Sequence, residues 1–119
     1  MYKIILFLII SFKLSGQEVV TATVYNAVAS QTNEDFVHTA SMFKLDVTNP
    51  YEHKIIAVSR DLLKKYPLGT RVWISGTDYD GEYVVEDKMN KRFTRKIDIL
   101  INQDMCIGKW NNVIITKIR

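Results

Sequence analysis

The feature that most limits the fold is a series of short segments in which apolar and polar residues alternate, with turn signals between them. In residues 19–25 (VVTATVY), one face carries Val20, Ala22 and Val24, and the other carries two threonines and Tyr25. A period of two is typical of a strand with one buried face. Because the pattern recurs along the chain, it predicts an all-β domain.

Six or seven short strands are expected in total, with one or two helical turns. Asp80-Gly81 predicts a hairpin-type turn. Residues 61–66 predict a short helix that Asp61 caps and Pro67 ends, and residues 103–109 predict a helical turn. Many short strands with little helix favour a small closed barrel, since closure leaves no exposed strand edge. The further predicted strands are residues 39–45, 54–58, 71–75, 82–85, 95–101 and 113–118.

The first 17 residues are predicted to be a secretory signal peptide, which leaves residues 18–119 as the domain. A short basic start with Lys3 precedes a nine-residue apolar stretch, 4–12, which is too short to span a bilayer. Small residues allow cleavage near Gly16 or Gln17. The expected product is secreted or periplasmic, with no stable membrane insertion after cleavage; an uncleaved anchor is the alternative.

Charge content argues against nucleic-acid binding, and cysteine content rules out an internal disulfide. Of the 16 basic residues, Lys3 and Lys13 lie in the signal, so 14 remain against 13 acidic ones. A nearly neutral exported domain is a poor nucleic-acid binder. The single Cys106 cannot close an internal disulfide, and between Met105 and Ile107 it is expected to be buried. We expect a monomer without cofactor or metal.

Two aspartates are the strongest site residues that the pattern offers. Asp is depleted in strands, yet Asp87 closes an apolar run and Asp98 lies between Ile97 and Ile99. If the isoleucines fill the core, Asp98 faces outward, toward a surface groove. Two carboxylates on adjacent strands would form an acid/base or sugar-binding site; the alternative is an ordinary solvated outer face.

Several short motifs, taken in order, resemble the 3D domain, a family named for three aspartates that belongs to the double-psi β-barrels. That superfamily includes membrane-bound lytic transglycosylase A, rare lipoprotein A and the expansins. The resemblance covers nearly the whole chain after the signal, and it implies a six-stranded double-psi barrel with a polysaccharide groove that acts on peptidoglycan. The matching stretches are ATVYNA (22–27), QT (31–32), TAS (39–41), IAV (56–58), PLGT (67–70), VED (85–87) and KIDI (96–99).

The resemblance further implies lytic transglycosylase chemistry on the bond between MurNAc and GlcNAc. One carboxylic acid protonates the glycosidic oxygen, and the sugar's own C6 hydroxyl attacks the anomeric carbon. Because the substrate supplies the nucleophile, one acid/base and good positioning suffice. The family's last aspartate matches Asp98, the expected acid/base, and Asp87 is expected to raise the pKa of Asp98 by like charge.

The remaining implied site residues match the family less closely. Asp61 is the nearest carboxylate to the family's first aspartate, although here Ser59 occupies the position directly after the IAV motif. The resemblance gives Asp61 a catalytic role, whereas the residues alone suggest a helix cap. Hydrogen-bonding side chains expected along the groove are Thr23, Tyr25 and Thr39.

A cluster of cations between the two aspartates argues against catalysis. Nearby positive charge lowers the pKa of a carboxylic acid that must be protonated to act. If these cations face the groove, they would instead bind peptide-stem carboxylates of peptidoglycan. The alternative function is therefore a non-catalytic, expansin-like wall-binding module, and a third interpretation is a protein-binding or inhibitor barrel. The cations are Lys88, Lys91, Arg92, Arg95 and Lys96.

Overall fold

The computed structural model describes residues 16–26 and 38–118. In this part of the chain, six strands close into a barrel in the order β1–β5–β2–β4–β3–β6. Two short 3₁₀ turns, Pro50–His53 and Arg60–Leu62, are its helical elements. The predicted all-β, six-stranded barrel is therefore confirmed. The strands are β1 (Gln17–Asn26), β2 (Ile55–Val58), β3 (Arg71–Ser75), β4 (Gly81–Lys88), β5 (Lys96–Ile101) and β6 (Trp110–Lys117).

The strand order interleaves two parallel pairs. β1 runs parallel to β5 and β2 runs parallel to β4, whereas the other neighbours are antiparallel. Since β2 lies between β4 and β5, the chain that leaves β4 must cross the end of β2 before it enters β5. This crossed arrangement of a closed six-stranded sheet fits a double-psi barrel.

The barrel core contains the isoleucines of β5, as their alternation predicted. Ile97, Ile99 and Ile101 are completely buried inside the barrel. A second, smaller apolar cluster lies on the outside, where Leu45 covers Leu100 and other residues of the outer face. The sequence pattern did not indicate that cluster, because Leu100 occupies a position that alternation assigns to solvent.

Three local predictions were wrong. Residues 39–45 form no strand, only an isolated bridge between His38 and Lys44. Residues 61–66 form only the 3₁₀ turn Arg60–Leu62, and its N-cap is Ser59. Asp61 therefore lies inside the turn and does not cap it. Residues 103–109 form a turn followed by irregular chain, with no helix.

Cys106 is exposed, not buried. It belongs to the loop between β5 and β6, which runs outside the barrel. Met105 packs against the core, but Ile107 is 81% exposed. Apolar neighbours in sequence therefore did not indicate burial at Cys106, because a loop lacks the regular alternation on which such an inference depends.

The barrel begins inside the segment assigned to the signal peptide. Residues 1–15 lie outside the described part of the chain, but β1 starts at Gln17. The carbonyl oxygen of Gly16 accepts hydrogen bonds from Lys117 N at 2.8 Å and Tyr66 Oη at 3.1 Å. Within residues 16–26 and 38–118, no helix is long and apolar enough to cross a bilayer.

Candidate functional site

Four residues form a row across the outer face of β1, β5, β2 and β4. Thr23 pairs with Asp98, Asp98 pairs with Ala57, and Ala57 pairs with Asp87. Directly opposed residues on neighbouring strands point to the same face. Ala57 carries only a methyl group, so it separates the two carboxylates without covering them. The structure thus brings Asp87 and Asp98 to one site.

A β-bulge in β4 places Asp87 on this face. The pairing shifts between Ile56–Val85 and Ala57–Asp87, which leaves Glu86 as an extra residue. Val85 is completely buried, so strict alternation would direct Asp87, two residues later, into the core. The extra residue reverses that direction and turns the carboxylate outward.

The Asp98 carboxylate is half-buried and has one hydrogen-bond donor among the described residues. Thr23 Oγ1 donates to Asp98 Oδ1 at 2.9 Å. Burial raises the pKa of Asp98 to about 6, although the Thr23 hydrogen bond and the charge of Lys96 lower it. The charge of Asp87 adds a smaller increase. Burial, more than the predicted repulsion from Asp87, therefore sets this pKa, and it outweighs the cations that argued against a protonated Asp98.

The Asp87 carboxylate is also half-buried, and backbone groups hold it. Its Oδ1 accepts hydrogen bonds from Ala40 N and Lys88 N, both at 3.0 Å. Burial raises the pKa of Asp87, against the lowering effect of these bonds, of Tyr25 and of the Lys88 charge. The site thus contains two carboxyl groups whose pKa values burial raises, the direction of change that a general acid needs.

The Tyr25 hydroxyl faces both carboxylates. Its Oη is buried and has no hydrogen-bond partner among the described residues. Burial, with the charges of Asp87 and Asp98, raises the pKa of Tyr25 well above its usual value. The phenol therefore approaches Asp87 without completing a hydrogen bond. A buried polar group without a partner costs about 1–3 kcal/mol.

An apolar wall borders the row on one side. The next positions along the strands are Tyr25, paired with Leu100, and Ile55, paired with Val84. Leu45 packs over this wall, and the segment that carries it also supplies the Ala40 N–H to Asp87. The wall excludes water from one side of the carboxylates, which is the physical origin of their raised pKa values. On the other side, residues 89–95 cross from β4 to β5, so the row lies in the strip between the apolar wall and this loop, which we call the groove.

Two of the predicted site residues do not reach this groove. Thr39 is buried, and its hydroxyl bonds within its own loop, at 2.9 Å from Ser41 Oγ and 3.2 Å from Phe43 N. Asp61 Oδ2 accepts a hydrogen bond from Arg95 N at 3.0 Å. Because Arg95 precedes Asp98 by three residues, this contact lies about 10 Å from Asp98 along the chain.

The environment of Asp61 also differs from that of the groove carboxylates. Burial would raise its pKa, but hydrogen bonds from Ser59 and from the Arg95 backbone lower it overall. The surroundings of Asp61 thus favour its charged form, the opposite of what an acid catalyst needs. Of the three predicted catalytic aspartates, the structure groups Asp87 with Asp98 and leaves Asp61 apart.

Sequence reasoning missed two parts of the site. The Ala40 N–H donates to Asp87, but a backbone donor leaves no signal in the residue type. Ala57 separates the two carboxylates, and only the IAV motif of the family resemblance pointed to it. Among the described residues, no group of three or more His, Cys, Asp or Glu could hold a metal ion.

Comparison with known proteins yields a likeness in structure but none in sequence. No family model and no curated protein matches the chain. A crystal structure of an aspartate-to-asparagine mutant of the Clavibacter michiganensis expansin, in complex with cellohexaose, matches with a TM-score of 0.57 and 15% identity. The match covers 87% of this chain and 50% of the expansin chain. At this identity the likeness shows the fold alone: the chain has an expansin-like barrel and spans about half the length of that expansin.

Proposed function

We propose that this barrel binds polysaccharide chains of the cell wall in the groove that contains Asp87 and Asp98. The observation that carries the proposal is the outward-facing row in which Ala57 leaves space between the two carboxylates. The expansin with the same fold was crystallised with cellohexaose, which supports a glycan as the ligand.

The chemistry of the row suits a sugar. Carboxylate oxygens accept hydrogen bonds from sugar hydroxyls, and such charge-assisted bonds are stronger than neutral ones. Asp87 and Asp98 lie two strands apart, so their Cα atoms are separated by about 9–10 Å. Ala57 forms a low floor between them, over which a sugar ring can lie. The resemblance of the motifs to the 3D domain supports the glycan strand of peptidoglycan as the proposed ligand. The resemblance of the N-terminal segment to an export signal supports a location outside the cytoplasm.

Sedimentation with insoluble peptidoglycan tests the proposal. The wild-type chain is expected to pellet with the wall, and a Thr23→Val/Asp98→Ala variant is expected to stay largely in solution. Asp78→Ala is the matched control, because Asp78 is exposed on the turn between β3 and β4. Failure of the wild type to sediment, or an equal loss in the Asp78 variant, would contradict the proposal.

A second function, lytic transglycosylase catalysis at Asp98, is favoured by the pKa of Asp98, raised to about 6. The protonated acid would deliver its proton to the glycosidic oxygen as the bond from the anomeric carbon to that oxygen breaks. The C6 hydroxyl of the same sugar would form the new bond to the anomeric carbon and return its proton to Asp98. The acid is thus regenerated and no water is consumed.

Product analysis separates catalysis from binding. Peptidoglycan incubated with the wild type is expected to release anhydro-muropeptides, and Asp98→Asn is expected to abolish the release. Asparagine cannot deliver the proton but keeps the size of the side chain, so sedimentation should be retained. If no anhydro product forms at any pH between about 4 and 8, across the range in which such an acid titrates, the catalytic role fails and the binding role stands.

A further inference from the structure

We propose that the groove takes an anionic glycan, and that the loop of residues 89–95, with Lys88 and Lys96 at its ends, binds the carboxylate or phosphate groups of that glycan. This inference rests on the proposed glycan-binding function and names the class of ligand. We call residues 88–96 the basic loop.

The basic loop is fixed beside the groove at both ends. Met89 N donates to Val58 O at 2.9 Å, and Arg60 Nε donates to Met89 O at 3.1 Å. At the other end, Ser59 N donates to Lys96 O at 2.8 Å, and Lys96 N donates to Ser59 Oγ at 3.0 Å. The loop therefore crosses the end of β2 directly after Ala57, the floor of the groove.

Most cations of the basic loop form no ion pair with the described residues. Arg95 is the exception, since its guanidinium donates to Glu18 Oε1 at 3.1 Å and to Val19 O at 2.9 Å. The ion pairs of the described residues involve Lys65, Arg71 and Arg95. Four cations of the loop therefore have no carboxylate at ion-pair distance in that part of the chain. They are Lys88, Lys91, Arg92 and Lys96.

An aromatic ring organises two of these cations. Arg92 Cζ lies 4.7 Å and Lys96 Nζ lies 4.6 Å from the centroid of the Phe93 ring. Cation–π contacts of this kind hold positive groups in place without neutralising them. Lys96 shares the outer face of β5 with Asp98, two residues later. The Phe93 ring thus holds the Lys96 ammonium close to the carboxylate row and Arg92 beside it. Lys88, Lys91 and Arg92 remain exposed to solvent and accessible to a ligand.

This arrangement fits a ligand with negative groups along its length. Arginine and lysine bind carboxylates and phosphates, whereas a neutral glucan offers them only hydroxyls. A bacterial wall contains both kinds of anion: carboxylates on peptidoglycan stem peptides, and phosphodiester polymers attached to the wall. The basic loop recognises the charge that the two sources share.

The test compares binding to four insoluble polymers: native wall, wall freed of phosphodiester polymers with hydrofluoric acid, wall whose carboxyl groups are amidated, and uncharged cellulose. The test variant is Lys91→Gln/Arg92→Gln, which leaves the groove residues in place. The control, Lys64→Gln/Lys109→Gln, removes the same charge from exposed positions outside the loop.

The loop variant is expected to bind native wall about five- to tenfold more weakly than the wild type in low salt, with the difference largely lost at about 0.5 M salt. Its binding to cellulose should equal that of the wild type. Weakened wild-type binding after hydrofluoric acid identifies phosphate as the anion, and weakened binding after amidation identifies carboxylate.

Two outcomes overturn the inference in distinguishable ways. If the wild type binds charged and uncharged polymers equally and the loop variant behaves as the control, the basic loop has no role while glycan binding stands. If the wild type binds none of the four polymers, the proposed function fails together with the inference.

Discussion

Asp87 and Asp98 reach the same site because both pair with one residue, Ala57, from strands on its two sides. The two carboxyl groups are eleven residues apart in sequence and are separated in space by a single short strand. Burial raises the pKa of each. The barrel thus maintains two carboxyl groups in surroundings that disfavour their charge. This lowers the free energy of unfolding at neutral pH, but perturbed pKa values of this kind cluster at functional sites.

Replacing Asp98 by asparagine should stabilise the protein at neutral pH. The pKa of Asp98 rises from the ordinary 3.8 to about 6 in the folded chain, so the unfolded state loses its proton first as pH increases. Stability is therefore lost between those two values, by at most about 3 kcal/mol. Urea unfolding should show Asp98→Asn more stable than the wild type by about 1–3 kcal/mol at pH 7.5 and nearly equal to it at pH 4. The same difference at both pH values would contradict the raised pKa.

Removing the Thr23 hydroxyl should raise the pKa of Asp98 further. The hydrogen bond from Thr23 Oγ1 favours the ionised carboxylate, so Thr23→Val shifts the balance toward the acid. A carbon-13 NMR titration of the Asp98 carboxyl group measures the change directly. Thr21→Val is the control, because the Thr21 hydroxyl contacts Asn111 on β6 instead. An unchanged or lowered pKa in Thr23→Val would show that the hydrogen bond is not made in solution.

Removing the Tyr25 hydroxyl should cost no stability, unlike removal of the Tyr66 hydroxyl. Tyr25 Oη is buried without a partner among the described residues, so Tyr25→Phe is expected to be neutral or stabilising by up to about 1 kcal/mol. Tyr66 Oη donates to Gly16 O at 3.1 Å, so Tyr66→Phe is expected to destabilise by about 1 kcal/mol. Urea unfolding of both variants provides the comparison.

Because Tyr25 Oη approaches Asp87 without completing a hydrogen bond, Tyr25→Phe should raise the pKa of Asp87 only slightly, too little to cost measurable stability. An NMR titration of the Asp87 carboxyl group tests this expectation. A loss of more than about 1 kcal/mol in Tyr25→Phe, the size of an ordinary hydrogen bond, would show that the hydroxyl has a partner after all.

A chain that begins at Glu18 should be less stable than one that begins at Gly16. The longer chain keeps the Gly16 carbonyl that accepts from Lys117 N and Tyr66 Oη. The shorter chain removes the partner of Lys117 N and leaves Tyr66 Oη only its longer contact, 3.4 Å to Ile115 O, at an expected cost of about 1–2 kcal/mol. Thermal unfolding of the two chains measures the difference, and equal midpoints would place the true start of the barrel after Gln17.

The alternation of apolar and polar side chains along the chain predicted much of the fold. Alternation in residues 19–25 predicted β1, and the isoleucines of β5 predicted both a core face and an outward Asp98. The sequence-based strands at 54–58, 71–75 and 113–118 differ from β2, β3 and β6 by few residues. Alternation is a property of neighbouring residues in one strand, so a single sequence reveals it.

Contacts between residues far apart in sequence determine the arrangement of the site. Alternation alone would have directed Asp87 inward, and the bulge at Glu86 that turns it outward exists only because β4 pairs with β2. Nothing near Asp61 in sequence showed that its carboxylate accepts a hydrogen bond from the backbone N–H of Arg95. Such pairings join residues far apart in the chain, and their register follows from closing the whole sheet.

The sequence by itself determined an all-β barrel and placed Asp98 on its outer face, because the side-chain period within a strand is local. Only the tertiary structure decided that Asp87 joins Asp98 across Ala57, that Asp61 does not, and that burial keeps the Asp98 pKa near 6. Burial and cross-strand contact depend on which segments pack against a residue, and the two ends of the site's Thr23–Asp98 hydrogen bond lie 75 residues apart in the chain.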